Sequence, residues 1–146
     1  MILLDTNVVS GLMRRDPDAA LVTWLDGQPA ESIWTTSITV FEIRAGLELL
    51  DPGRRRRGLE EAFDQLLAEE LERRVQSFDQ AAALAAGSIA ANRQRDGRSL
   101  EMRDVQIAGI VTARKATLAT GNVRHFEVLG VDLVDPWSSP RLHPAG

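Results

Sequence analysis

The chain contains no cysteine, which excludes disulfides, thiolate zinc sites and cysteine nucleophiles together. Long hydrophobic runs are also missing. The alanine-rich stretch at 81–91 is interrupted by Gly87 and Ser88 and falls well short of the roughly 20 apolar residues a spanning helix needs. The opening MILLD segment reaches a carboxylate after a few apolar residues, without the basic stretch and longer apolar run of a secretory signal. These absences predict a soluble, cytoplasmic protein with no membrane partner. Lysine is nearly absent, Lys115 being the single one, so positive charge is carried by arginine, whose planar fork suits phosphate and carboxylate. No Gly-x-Gly-x-x-Gly follows the first apolar segment, and dinucleotide binding has no support.

What is present is ordinary for a globular protein: 146 residues, 44% hydrophobic. That length suits one domain, placed at 1–137, with a tail at 138–146 carrying Pro140 and Pro144. The formal net charge is −4. The molecule as a whole therefore does not attract nucleic acid, although a local basic rim around an acidic pocket can still hold a phosphate backbone.

Short apolar or β-branched segments at 2–4, 33–36, 75–78, 117–120 and 131–134 read as strands. Helical spacing marks 18–26, 39–50 and 54–74. An alanine-rich helix capped by Asp79 runs to about Gly97, and another spans Met102–Arg114. Strands alternating with helices predict a three-layer α/β/α fold around a mainly parallel sheet of about five strands.

In such folds ligands lie beyond the carboxyl ends of the strands. Asp5 directly follows the first strand, Glu42 comes six residues after the second, Asp104 opens a helix, and Asn122 lies two residues after the fourth strand. Each has a structural reading of its own: a turn residue for Asp5, a capping box with Thr39 for Glu42, an N-cap for Asp104, a left-handed turn for Asn122. Their joint placement points elsewhere. Clustered carboxylates repel unless a cation is present, and oxygen donors are what Mg²⁺ or Mn²⁺ prefers.

The segments MILLDTNVVS (1–10), SITVFEIRAGL (37–47), RDVQIA (103–108), LATGNVRHF (118–126) and VDPW (134–137) together resemble the PIN-domain ribonucleases, in particular the VapC-like toxins of type II toxin–antitoxin pairs, including their FitB-like branch. The resemblance covers nearly the whole chain in order. It implies that Asp5, Glu42 and Asp104 take the family's acidic metal positions, that Mg²⁺ or Mn²⁺ is the cofactor, and that RNA is hydrolysed to 5′-phosphate and 3′-hydroxyl ends. It also implies a homodimer and a VapB-type antitoxin partner. Asn122 falls where many members carry a fourth acid, and Gly121 where relatives often place an arginine.

Several residues are secondary candidates. Thr6 could orient Asp5 or a bound water, with a local turn bond as its structural alternative. Arg103, together with Arg14, Arg15, Arg93, Arg95 and Arg98, is expected to form the RNA rim. The run at 54–57 is read as a solvated face far from any acidic strand end, or as a partner contact. His125 and His143 are read as structural, and Trp24, Trp34 and Trp137 as core or interface residues. Two rivals remain. Aspartyl phosphotransfer wants an aspartate at Asn7 or a lysine after a late strand, and an inactive PIN-type module would bind RNA or protein without a metal.

Overall fold

The computed structural model describes residues 1–138; the proposed tail beyond that point, with His143, lies outside the described residues. Five strands among these residues form one sheet: β1 (Ile2–Leu4), β2 (Ile33–Thr36), β3 (Val75–Gln76), β4 (Thr117–Ala119) and β5 (Asp132–Val134). Their order is β3-β2-β1-β4-β5, and every pair is parallel. Leu3 and Leu4 on the central strand are fully buried, as expected for a parallel sheet covered on both faces. The chain winds from β1 through β2 to β3 in one direction and returns to β4 and β5 in the other. The order reverses beside β1, which opens a crevice beyond the carboxyl ends of β1 and β4.

Among the described residues seven α-helices cover the sheet: α1 (Thr6–Met13), α2 (Ala19–Asp26), α3 (Ser37–Glu48), α4 (Arg54–Gln65), α5 (Gln80–Arg95), α6 (Met102–Arg114) and α7 (Val123–Glu127). Alternation along β1 divides the core. Leu4 packs with Val8 of α1, Leu21 of α2, Ile43 of α3 and Phe63 of α4. Leu3 packs with Ala82 of α5, Ile107 and Ile110 of α6, and Phe126 of α7. The three-layer expectation is met. Among the described residues, no helix is long and apolar enough to cross a membrane.

Some boundaries differ from those the sequence predicts. The helix placed at 39–50 starts at Ser37, because Thr36 supplies the cap by accepting from Thr39 N at 3.1 Å. The capping box at Thr39 and Glu42 is therefore not formed. The helix placed at 54–74 ends at Gln65 and widens into a π-helical turn, Leu66–Glu70, in which Leu71 N bonds Leu66 O at 2.9 Å. Glu72 and Arg73 then adopt left-handed backbone, and Arg74 straps the turn to the sheet by donating to Ile33 O and Ala30 O. The strand placed at 75–78 is only two residues long. The short helix α7 has no counterpart among the elements the sequence predicts.

Candidate active site

Asp5 is the single residue between β1 and α1. Its amide donates to Ala119 O at 2.9 Å, tying the end of β1 to β4. Its carboxylate caps α1, with Oδ1 accepting from Thr6 N at 2.8 Å and Oδ2 from the buried Thr120 hydroxyl at 2.7 Å. Asn7 joins the same network: its Oδ1 accepts from Gly121 N at 3.0 Å, and Thr120 Oγ1 in turn accepts from Asn122 N. The Asp-Thr-Asn end of β1 and the Thr-Gly-Asn end of β4 are thus stitched side by side. Sequence reasoning missed Asn7 and Thr120 as supports. The available signal was two strand ends that both finish in short hydrogen-bonding residues.

Glu42 projects from the second turn of α3. Thr6 Oγ1 donates to its Oε1 at 2.6 Å and lies 3.2 Å from Thr39 Oγ1. The Thr6 proton goes to Glu42, so Thr39 must be the donor to Thr6. The resulting relay, Thr39 to Thr6 to Glu42, gives the fully buried Thr39 hydroxyl its partner. Thr6 therefore aims Glu42 through its hydroxyl, and contacts Asp5 only through its amide. Arg103 Nη1 lies 3.5 Å from Glu42 Oε2, and its Nε is 4.0 Å from Glu101. The structure places this rim candidate between two acids.

Asp104 sits in the first turn of α6, where the helix dipole favours an anion. Glu101 is the cap of that helix, so the N-cap reading of Asp104 is corrected and its carboxylate is left free. His125 Nδ1 approaches Asp104 Oδ2 at 3.5 Å, a contact the structural reading of His125 does not foresee. Burial raises the Asp104 pKa, repulsion from Glu101 and Glu42 adds to the rise, and the His125 contact opposes it.

The three acids line one cleft of about 850 Å³ together with Asn122. Asn122 is exposed and has ordinary negative φ (−93°), so the left-handed turn reading is corrected. Of the rim candidates Arg14 lines the cleft, whereas Arg95 turns to Asn92 Oδ1 at 2.7 Å. Arg55 also lines it, which overturns the placement of 54–57 far from the acids: α4 folds back across α1 and α3. In the same run Arg56 pairs with Glu60 and Glu48, tying α4 to α3. Trp24 is in the core as expected. Trp137 packs against the same core and also forms a cleft wall, set so closely on Gly11 and Gly121 that a Cβ at Gly121 would lie 3.0 Å from its ring.

Among the described residues Asp5 has no ion-pair partner, whereas Glu42 and Asp104 each have one. Its pKa is raised to about 6, chiefly by burial and further by Asp104 and Glu42, against the hydrogen bonds from Thr120 and Thr6. Among the described residues no three His, Cys, Asp or Glu side chains stand close enough to ligate one ion together. That arrangement still suits a hard cation such as Mg²⁺, which keeps several waters and takes one or two carboxylates rather than an all-protein cage. The donor set is all oxygen, and its most buried member has uncompensated charge.

Comparison with known proteins gives a consistent result. The family model described as PIN domain matches residues 2–130. The plasmid stability protein StbB of Pseudomonas syringae is 37% identical over 95% of this chain and 100% of its own length. The VapC ribonuclease Y4jK of Sinorhizobium fredii is 34% identical over 94% and 98%. The crystal structure of FitAcB from Neisseria gonorrhoeae superposes with a TM-score of 0.84 at 32% identity, covering 94% of this chain and 99% of the other.

Proposed function

The chain belongs to the PIN-domain family, and from that premise we propose that it is a metal-dependent endoribonuclease, the toxin of a VapBC-type toxin–antitoxin pair. The observation that carries the reading is the convergence of Asp5, Glu42 and Asp104, from three separate elements, on one cleft in which the buried Asp5 has no cationic partner among the described residues. Relatives named as a VapC ribonuclease and as the toxin FitB support the same activity.

Asp5 and Asp104 would hold Mg²⁺ or Mn²⁺, with Glu42 reaching it directly or through water. When bound, such an ion supplies an activated water and charge stabilisation on the phosphoryl oxygens of an RNA phosphodiester. The protein's own contribution is orientation. Thr120 and the Thr6 amide fix both oxygens of Asp5, and the Thr39–Thr6 relay fixes Glu42. Locked carboxylates of this kind cost little reorganisation when the reaction occurs. Arg14 and Arg55 bring positive charge to the far side of the cleft for the RNA backbone. Asn122 stands at the mouth with its amide available to a water or a phosphate.

A VapB-type antitoxin fits a groove of about 1000 Å³ between α1 and α4, where Leu12, Met13, Leu59 and Leu66 are bordered by Arg15 and Arg54. An apolar groove of that kind takes an amphipathic helix. The same reading carries a homodimer, for which exposed Phe41, Leu84 and Met102 supply apolar surface. The test is cleavage of RNA by purified Asp5→Asn protein in Mg²⁺. Loss of cleavage is expected, and a rate equal to wild type would overturn the assignment. Calorimetric titration with Mn²⁺ separates the enzyme from a metal-free binding module, which needs no site dependent on Asp5 and Asp104.

A further inference from the structure

Asp104 faces two clefts. On the side away from Asp5, a smaller one of about 280 Å³ lies between the end of α5, the loop before α6, and α7. Its lining reverses the charge of the main cleft, with Arg93, Arg98 and Arg124 set against Glu101 and Asp104. Arg93 is occupied in building the wall. Its Nη2 donates to Ser99 O at 3.0 Å, and its carbonyl accepts from Arg98 N, closing the loop.

Arg98 and Arg124 stand apart from the arginines that this fold holds in ion pairs. Arg44, Arg56, Arg74, Arg103 and Arg114 all stand within ion-pair distance of an acid. Among the described residues, the exposed Arg98 and Arg124 side chains meet neither a carboxylate nor a hydrogen-bond acceptor. Two free forks at the mouth of a cleft that shares a wall with the acidic centre are arranged for an anion from outside. Val128, one helical turn after Arg124, adds apolar lining beside it and is 51% exposed.

We propose that this cleft binds the RNA nucleotide next to the scissile phosphate, with Arg98 and Arg124 on its phosphate and Val128 against its ribose or base. The inference rests on the ribonuclease reading above. Arginine forks match phosphate oxygens two at a time. A phosphate fixed here, one wall away from Asp104, sets the register of the strand so that its neighbour lies over the acids. No base edge needs to be read, so the subsite accepts single-stranded RNA of varied sequence.

The test uses the full chain carrying Arg98→Gln and Arg124→Gln together, its folding checked by melting temperature, on a single-stranded RNA oligonucleotide in Mg²⁺. KM should rise on the order of tenfold while kcat changes much less, because a contact to a phosphate that does not itself react binds ground state and transition state alike. The dependence of log(kcat/KM) on log[salt] should become shallower by about 0.7 for each phosphate that the variant no longer neutralises. Mn²⁺ affinity should not change. The Arg98→Lys, Arg124→Lys protein should keep the wild-type salt slope and regain part of the KM. Unchanged KM and salt slope in the glutamine variant, beside an active wild type, would overturn this inference alone. A fall in Mn²⁺ affinity alongside KM would also overturn it, since the arginines would then be acting through Asp104. A wild type that cannot cut RNA would overturn the ribonuclease reading, and this inference with it.

Discussion

At the scale of the residue, Asp5 works against the fold that holds it. Its pKa is about 6 in the folded protein against an ordinary value of 3.8. Between those values the folded state binds more protons than the unfolded state, so stability falls as pH rises through this window. Above pH 6 the ionised side chain costs roughly 3 kcal/mol. Asparagine removes that charge and remains a good N-cap for α1. Metal-free Asp5→Asn protein should therefore melt several degrees higher than wild type at pH 7.5, and the gap should close as pH drops towards 4. Calorimetry across that range checks it, and a variant no more stable than wild type at pH 7.5 would show that Asp5 is not held under strain. Thr6 tests the opposite kind of contribution. Thr6→Val removes the 2.6 Å donor to Glu42, and removal of such an orienting partner costs about 10–100-fold in activity or metal affinity. The melting temperature should fall by only a few degrees, the cost of leaving the buried Thr39 hydroxyl without its acceptor, and Thr6→Ser should restore both the rate and the stability. The acids themselves are legible in the sequence because each stands near a strand end or helix start. Their supports are not. The Thr120–Asp5 and Thr6–Glu42 bonds join residues far apart in the chain, and such pairings leave no local pattern.

At the scale of the element, legibility follows the strength of the local signal. Helix α6 is legible at its observed bounds, Met102–Arg114, because a polar loop precedes it and apolar periodicity runs throughout. The start of α3 is harder to place because Thr36 and Thr39 are equally good cap residues by type, and only pairing in the sheet decides that the strand stops at Thr36. The break after Gln65 is hidden because Leu66 and Leu71 continue an inward pattern that the π turn also satisfies. The packing of α5 on α6 depends on Gly109, where a Cβ would lie 2.5 Å from Ala82 O and 2.6 Å from Ala86 Cβ. Backbone atoms of a packed helix cannot give way as a flexible side chain would. Gly109→Ala should destabilise by about 1–3 kcal/mol, read as a lower denaturation midpoint. Gly87→Ala is the control on the neighbouring helix. A Cβ there meets nothing within 4 Å, and the substitution should gain roughly 0.5–1 kcal/mol from helix propensity. Equal effects at the two positions would show that the close approach at Gly109 contributes nothing.

At the scale of the molecule, the strand-end rule brings the three acids to one cleft, while the order of the strands cannot be read. Parallel pairing joins segments separated by whole helices, and nothing within Ile2–Leu4 specifies that Thr117–Ala119 and Ile33–Thr36 flank it. The charge balance is legible, and it has a consequence for binding as well as for catalysis. A chain of net charge −4 presents an RNA backbone with a cleft whose floor holds three carboxylates. Without a cation, bringing a phosphate to that floor sets like charges against each other in a partly desolvated site, where screening is weakest. A divalent ion reverses the local sign. Fluorescence anisotropy of labelled RNA with wild-type protein should therefore show weak binding in EDTA. Binding to the Asp5→Asn protein in EDTA should be tighter than that of wild type, because one of the repelling charges is gone. If the acids served only the chemical step, chelation would stop cleavage and leave wild-type RNA affinity unchanged. That result would remove the electrostatic role assigned to the cleft, whereas a chelation-dependent loss of affinity relieved in Asp5→Asn would locate the role at Asp5.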